Sequence, residues 1–218
     1  MPQIFPESSN TIARASLVGG ILLVAGTLVT GSQITRHSFG TDAKVAIEQP
    51  IPFSHKHHAN ELGIDCRYCH TTVETSKFAG IPPTETCMSC HSQIWTNSPL
   101  LEQLRNSLKD NKPIEWTRVN RLPDFVYFDH SIHVNKGISC FTCHGDVQEM
   151  QLTYKNEPFF MKFCLDCHRE PELFIRPKDQ VLNWKYKAEV NQRELGERLV
   201  HDFDIKKGQL TDCWTCHR

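Results

Sequence analysis

The sequence predicts a mainly helical protein with extensive loops and a single N-terminal membrane-spanning helix. Three observations carry this expectation: five short CxxCH blocks spread along the chain, a 20-residue stretch near its start without a charge, and weak strand-type alternation throughout. The 218 residues suffice for one or two small domains. A formal net charge of −1 provides no strong field toward nucleic acid or another anionic partner. Beyond the N-terminal stretch apolar runs are few, so the polypeptide alone would make a thin core.

The uncharged stretch is Ala15 to Ile34, ASLVGGILLVAGTLVTGSQI, bracketed by Arg14 and Arg36. About 20 apolar residues span a bilayer as a helix. A cleaved signal peptide is the competing reading of a segment placed here. Its length favours an uncleaved anchor over residues 1–36, with a linker over 37–50. Small residues recur four apart, Ala15 with Gly19 and Ser16 with Gly20, which lets another membrane helix approach closely. The charges flanking the stretch are too balanced to orient it.

All ten cysteines fall into five pairs, Cys66/Cys69, Cys87/Cys90, Cys140/Cys143, Cys164/Cys167 and Cys213/Cys216. A histidine follows every pair at once: His70, His91, His144, His168 and His217. Zinc needs two such pairs per ion, or a pair with spaced histidines, and gives no reason for a histidine directly after each. Disulfide scaffolds do not favour one rigid spacing. CxxCH is the attachment signature of a c-type haem. Two thiols three positions apart add to the two vinyl groups of one porphyrin, and the adjacent histidine supplies the proximal iron ligand. Five haem c groups are therefore expected, filling much of a core that the side chains alone leave thin. Such haems are attached outside the bacterial cytoplasm, so residues after about Pro50 are expected on the periplasmic side of the inner membrane.

Residues 51–218 contain an internal repeat. FSHKHHANELGIDCRYCH (53–70) aligns with FDHSIHVNKGISCFTCH (128–144). Phe53 matches Phe128, His55 matches His130, and His58 matches His133. Gly63-Ile64 matches Gly137-Ile138 with a register difference of one residue. A second motif follows in each copy, at Cys87 and at Cys164. The unit HxxH, CxxCH, CxxCH thus occurs twice, over 53–97 and 128–172, and the fifth motif at 213–217 stands alone. Between the copies, Ser98 and Pro99 predict the start of a helix with Leu101, Leu104 and Leu108 on one face, stopped by Asn111 and Pro113. A second helix is predicted over 189–203, with Leu195, Leu199 and Phe203 inward.

The sixth coordination position decides what a haem does. Filled by the protein it passes electrons; left open it binds small molecules. Seven histidines lie outside the motifs: His37, His55, His57, His58, His130, His133 and His201. The two repeats hold four motifs and share four histidines, so His55, His58, His130 and His133 are the expected distal ligands. Histidines three apart point the same general way but not at one atom, so each pair can serve two neighbouring irons. His57 aligns with Ile132 and is expected to be a bystander to iron. For the fifth haem, Met88, Met150, Met161 and His201 are available, and spacing does not choose among them.

HxxH before CxxCH resembles the class III multihaem cytochromes. In that pattern the first histidine serves the haem of its own motif and the second serves a different one. More closely, the chain resembles the pentahaem cytochrome c subunits of bacterial alternative complex III. The anchor, FSHKHH, IPPTETCMSCH, WTRVNRLPDFVYFDHSIH, MKFCLDCHR and TDCWTCHR carry that resemblance over nearly the whole chain. It implies a multihaem cytochrome c fold built round five haems, with Met161 as a distal ligand because a methionine stands just before the fourth motif. It also implies an electron-relay role in a quinol-oxidising membrane complex that hands electrons to a soluble acceptor such as a cytochrome c or copper protein. The implied partners are an iron–sulfur subunit, polytopic quinol-binding subunits and a monohaem cytochrome c, with no nucleic acid. This subunit itself is expected to catalyse no bond chemistry. An anchored multihaem quinol dehydrogenase and a multihaem reductase are the alternatives. The reductase needs an open iron, often marked by a lysine-ended motif, and all five motifs here end in histidine.

Overall fold

The computed structural model describes residues 4–217. These divide into two units after Ala43. In the first, helix α1 (Ser9–Arg36) runs for 28 residues. At 1.5 Å per residue it reaches about 42 Å, beyond the roughly 30 Å of a bilayer's hydrocarbon layer. It is long enough, and apolar enough over its uncharged middle, to cross a membrane. It starts ahead of the uncharged stretch because Ser9 to Arg14 hold no proline or glycine to stop it. His37 turns extended and ends it, and the His37 ring accepts a hydrogen bond from Phe39 N at 3.3 Å, capping the single turn α2 (Ser38–Thr41).

In the second unit short helices alternate with loops. They are α3 (Cys66–Cys69), α4 (Thr84–His91), α5 (Glu102–Asp110), α6 (His130–Asn135), α7 (Cys140–His144), α8 (Met161–Arg169), α9 (Gln192–Asp202) and α10 (Cys213–Cys216). Among the described residues no strand forms, and β-type pairing is limited to three isolated bridges. Each CxxC pair sits on helical backbone, so its two thiols share one face. Asp65 and Ser139 cap α3 and α7 by accepting from Arg67 N and Phe141 N.

The helix predicted after Ser98 begins as a tighter turn, Pro99–Leu101, before α5. The Ser98 hydroxyl does not cap it; instead the Ser98 carbonyl accepts from Arg105 at 2.9 Å. Leu101 and Leu104 are buried with Ile51, whereas Leu108 is exposed because the apolar face ends one turn earlier than predicted. Asn111 stops the helix in the left-handed region. The second predicted helix is shorter than 189–203, because Asn191 caps α9 by accepting from Arg193 N and Glu194 N. It buries Leu199 and Gly196, with Leu195 and Phe203 half-buried. The buried apolar side chains are only Ala43, Ile51, Val73, Leu101, Leu104, Met150, Ile175, Val181 and Leu199 among the described residues. The thin core expected from the sequence is what the chain has.

The repeat is a structural one. Ser54 and Asp129, both just after the matched phenylalanines, cap the two histidine turns by accepting from His57 N and Ser131 N. The first copy has one more residue between HxxH and CxxCH. It absorbs that residue as a π-helical turn, Lys56–Glu61, where the second copy makes the α-helical α6. Gly63 and Gly137 then leave both turns at positive φ, 67° and 84°. At Gly137 a side chain would also meet Arg176 O at 2.4 Å.

The copies clasp each other. The first histidine turn is held by the loop after the third motif: Lys56 N donates to Met150 O, Asn60 to Glu149, and Ser54 to Gln151. The second turn is held by the loop after the first motif: Ser131 N donates to Ser76 O, and Asn135 to Glu74 O. This reciprocity is that of a two-fold axis. It brings the first and third motifs together.

Candidate functional site

The eight histidines of the two repeats stand in four facing pairs. His55 faces His70 with ring centroids 6.4 Å apart, and His130 faces His144 at 6.4 Å. His58 faces His91 at 6.2 Å, and His133 faces His168 at 6.2 Å. A metal–imidazole bond is about 2.0–2.1 Å and the ring centre lies about 1.1 Å behind its nitrogen, so two imidazoles on opposite sides of one ion hold their centroids about 6.3 Å apart. All four pairs fit a single ion held from both sides. The first histidine of each HxxH faces the histidine of the motif directly after it, and the second faces the histidine of the next motif of the same copy.

The rings are oriented for that task. His58, His70, His91, His130, His133 and His168 each direct Nδ1 at a backbone carbonyl: Ser54 at 2.8 Å, Gly80 at 2.7 Å, Ile94 at 3.3 Å, Lys77 at 2.8 Å, Asp129 at 2.7 Å and Leu210 at 2.7 Å. A carbonyl only accepts, so the proton sits on Nδ1 and the Nε2 lone pair is free for a metal. His55 Nδ1 instead meets the Thr153 hydroxyl at 3.0 Å. Phe53 stacks on His58 and Phe128 on His133, both at 4.5 Å, and each phenylalanine meets the other histidine of its copy edge-on. The sequence alignment matched these phenylalanines without revealing that they fix the ring planes. The carbonyl partners were not legible, since any residue supplies one.

Burial, with neighbouring imidazoles adding to it, pulls His55 and His144 down to about 4 and lowers His58 and His133. Neutral imidazole is the ligating form. Burial also raises the thiols, Cys143 to about 12 and Cys140 and Cys167 to about 11. Nearby thiols add to this, and their proximity traces a line. Cys69 lies near Cys87, Cys66 near Cys140, Cys143 near Cys164 and Cys167, and Cys164 near Cys216. None of the ten cysteines is in a disulfide. Among the described residues no three His, Cys, Asp or Glu side chains converge on one point as a zinc cage requires.

The fifth motif is tied to the segment that leads into the second repeat. His217 Nδ1 meets Phe125 O at 3.2 Å, and Tyr127 N donates to Cys216 O at 2.8 Å. Of the sulfur candidates, Met88 packs against the Ile51–Leu101–Leu104 core, and Met150 is buried beside Lys56. Met161 is 62 % exposed in the first turn of α8, three residues before Cys164 and on the same helix face. His201 is exposed and pairs with Asp202 at 3.3 Å. His57 faces no histidine across an ion-sized gap; it bonds Glu61 at 3.0 Å and stacks on Trp95.

A buried carboxylate supports the last two motifs. The Glu172 side chain is 5 % exposed and accepts from Lys207 at 2.8 and 2.9 Å and from Arg193 at 3.3 Å. Burial alone would raise its pKa, but the hydrogen bonds and charges of Lys207 and Arg193 outweigh it and hold the group below the ordinary carboxylate value. Lys207 opens the turn Lys207–Gln209, which delivers the Leu210 carbonyl to His168. Sequence spacing offered no sign of this network.

Four facing imidazole pairs beside five CxxCH motifs are the ligand set that a multihaem cytochrome c would need. No family model matches the chain. It is 35 % identical over 144 residues to the multihaem cytochrome c subunit of menaquinone reductase from Nitratidesulfovibrio vulgaris, covering 56 % of this chain and 68 % of that protein. The chain belongs to the multihaem cytochrome c family, and haem c is its cofactor.

Proposed function

We propose that this chain is a membrane-anchored pentahaem electron relay, the cytochrome subunit of a quinol:acceptor oxidoreductase of the alternative complex III type. The four ion-sized imidazole pairs carry the reading, because they leave four irons without an open position. The first haem is bound by Cys66 and Cys69 and held between His70 and His55. The second is bound by Cys87 and Cys90 between His91 and His58, the third by Cys140 and Cys143 between His144 and His130, and the fourth by Cys164 and Cys167 between His168 and His133. The fifth is bound by Cys213 and Cys216, with His217 on one side and Met161 on the other. Haem iron supplies one-electron chemistry, and the chain fixes the order of the sites. The electrostatic influence of neighbouring thiols on one another supports the sequence second–first–third–fourth–fifth. Helix α1 anchors the haem domain on the periplasmic side. Partners are an iron–sulfur subunit, polytopic quinol-binding subunits and a monohaem cytochrome c.

The name of the relative favours a second reading. A menaquinone reductase delivers electrons to a quinone, so the same relay can run inward. Purification in mild detergent tests both. The account predicts copurification with these partners and haem reduction by a menaquinol analogue in the complex but not in the isolated chain. Rapid quinol reduction of the chain alone would make it a self-sufficient quinol dehydrogenase and sink the relay reading. Reduction of quinone by the complex, without quinol oxidation, would establish the inward direction.

A further inference from the structure

Three of the four facing pairs have nearly aligned rings, with interplanar angles of 11° for His55/His70, 6° for His130/His144 and 28° for His133/His168. The second site differs, since His58 and His91 cross at 64°. The distal side does not explain it. His58 and His133 have the same phenylalanine stacked at 4.5 Å, at 23° and 28°, and Nδ1 partners at 2.8 and 2.7 Å. The rotation therefore belongs to His91.

What surrounds His91 has no counterpart in the other copy. His91 Nδ1 reaches only Ile94 O of its own loop, at 3.3 Å, where His168 reaches Leu210 O at 2.7 Å. Trp95 follows at φ 57°, a left-handed conformation that tryptophan rarely adopts. Its indole lies 6.4 Å from the His91 ring at 43°. Its other neighbour is His57, stacked at 6.1 Å and 13°, and His57 is held by Glu61 at 3.0 Å and stands at 87° to His58. In the second copy Ile132 occupies the His57 position, and Glu172 stands four residues after His168 where Trp95 stands four after His91.

We propose that Trp95, braced by His57, is a positioning residue that turns His91 across His58 and makes the second haem a crossed bis-histidine site. This rests on the proposed pairing of His58 with His91 on one iron. When axial ring planes align, both imidazoles act on the same iron d orbital and split it from its partner. When they cross, each acts on a different orbital, and the two stay close in energy. A low-spin ferric haem of the first kind gives a rhombic EPR spectrum, and one of the second kind gives a single strongly anisotropic signal with a large maximal g value. The bystander histidine thus binds no iron but shapes a haem.

The test is low-temperature EPR on the fully oxidised, haem-loaded full chain in detergent. Wild type is expected to show one large-g signal beside the rhombic ones. Trp95→Asn keeps a residue that tolerates the left-handed backbone but removes the wedge. It is expected to lose the large-g signal and gain a rhombic one, with haem content by pyridine haemochromogen unchanged. Trp95→Phe is expected to retain the large-g signal. A large-g signal that survives Trp95→Asn, or is missing from fully loaded wild type, would overturn the proposal. His58→Ala locates the signal: its loss there is expected, and its persistence would show that the pairing of His58 with His91 is wrong.

Discussion

Glycine in the middle of a helix ordinarily weakens it, and replacing it by alanine gains about 0.8–1 kcal/mol. Gly196, in the middle of α9, is expected to do the reverse. A Cβ built there would lie 1.9 Å from Glu172 O, 2.5 Å from its carbonyl carbon and 2.6 Å from its Cα. All three are backbone atoms of the turn Pro171–Leu173, so no side chain can swing away. Clearing even a 3.0 Å contact moves α9 by about 1 Å from the surface it buries, and because the clash is with backbone the cost lies at the upper end of the range for overpacking, about 2–3 kcal/mol. Set against the propensity gain, the net loss is about 1–2 kcal/mol, a fall in Tm of about 2–8 °C for a domain of this size. The displaced turn carries Glu172, and through Lys207 the carbonyl that orients His168, so the fourth haem is expected to report the damage as well. The assay is thermal unfolding of the haem-loaded chain, followed at the Soret band and by circular dichroism. An alanine variant as stable as wild type, or more stable, would refute the close approach of α9 to the turn.

Three further outcomes follow from the site. His58→Ala should convert one haem to a high-spin form in the optical and EPR spectra, whereas His57→Ala should leave every haem low-spin; like behaviour of the two would mean that the repeat alignment is misleading. Glu172→Gln should cost about 1–3 kcal/mol, less than for a fully buried pair because Lys207 and Arg193 remain half-exposed and can resolvate. Because the folded-state pKa of Glu172 is lowered, its stabilisation is present above the ordinary carboxylate value and fades as pH falls through the depressed one. Wild type should lose its stability advantage over Glu172→Gln below about pH 4, and an advantage unchanged at pH 3 would contradict the pairing. Deleting residues 1–34 should release a haem-loaded soluble protein, checked by ultracentrifugation; persistent membrane binding would mean that partner contacts dominate.

The attachment motifs, the repeat and the long apolar helix were legible because each is written in covalent spacing or composition. CxxCH fixes two thiols and a ligand on one turn, and HxxH recurs at matched positions. The one-residue offset between the copies was visible in the alignment, but its consequence, a π-helical turn at Lys56–Glu61, was not. The placing of the two histidine turns depends on how the copies clasp, through Ser76, Met150 and Glu149, and these residues carry no local signature. Leu108 was misread because a helical stripe shows that a face is apolar, not how far the neighbouring surface extends. Glu172 and Gly196 escaped because an isolated glutamate and an isolated glycine read as surface and weak helix. Only the approach of distant segments gives them their roles.

The central claim is that five haems form a relay whose irons are closed to substrates. Low-temperature EPR combined with near-infrared MCD, on chain whose haem content is fixed by pyridine haemochromogen, tests it most directly. The account predicts five haems c per chain, four with bis-histidine and one with histidine–methionine ligation, all low-spin. Three or four haems, or a substantial high-spin fraction in the native chain, would contradict it.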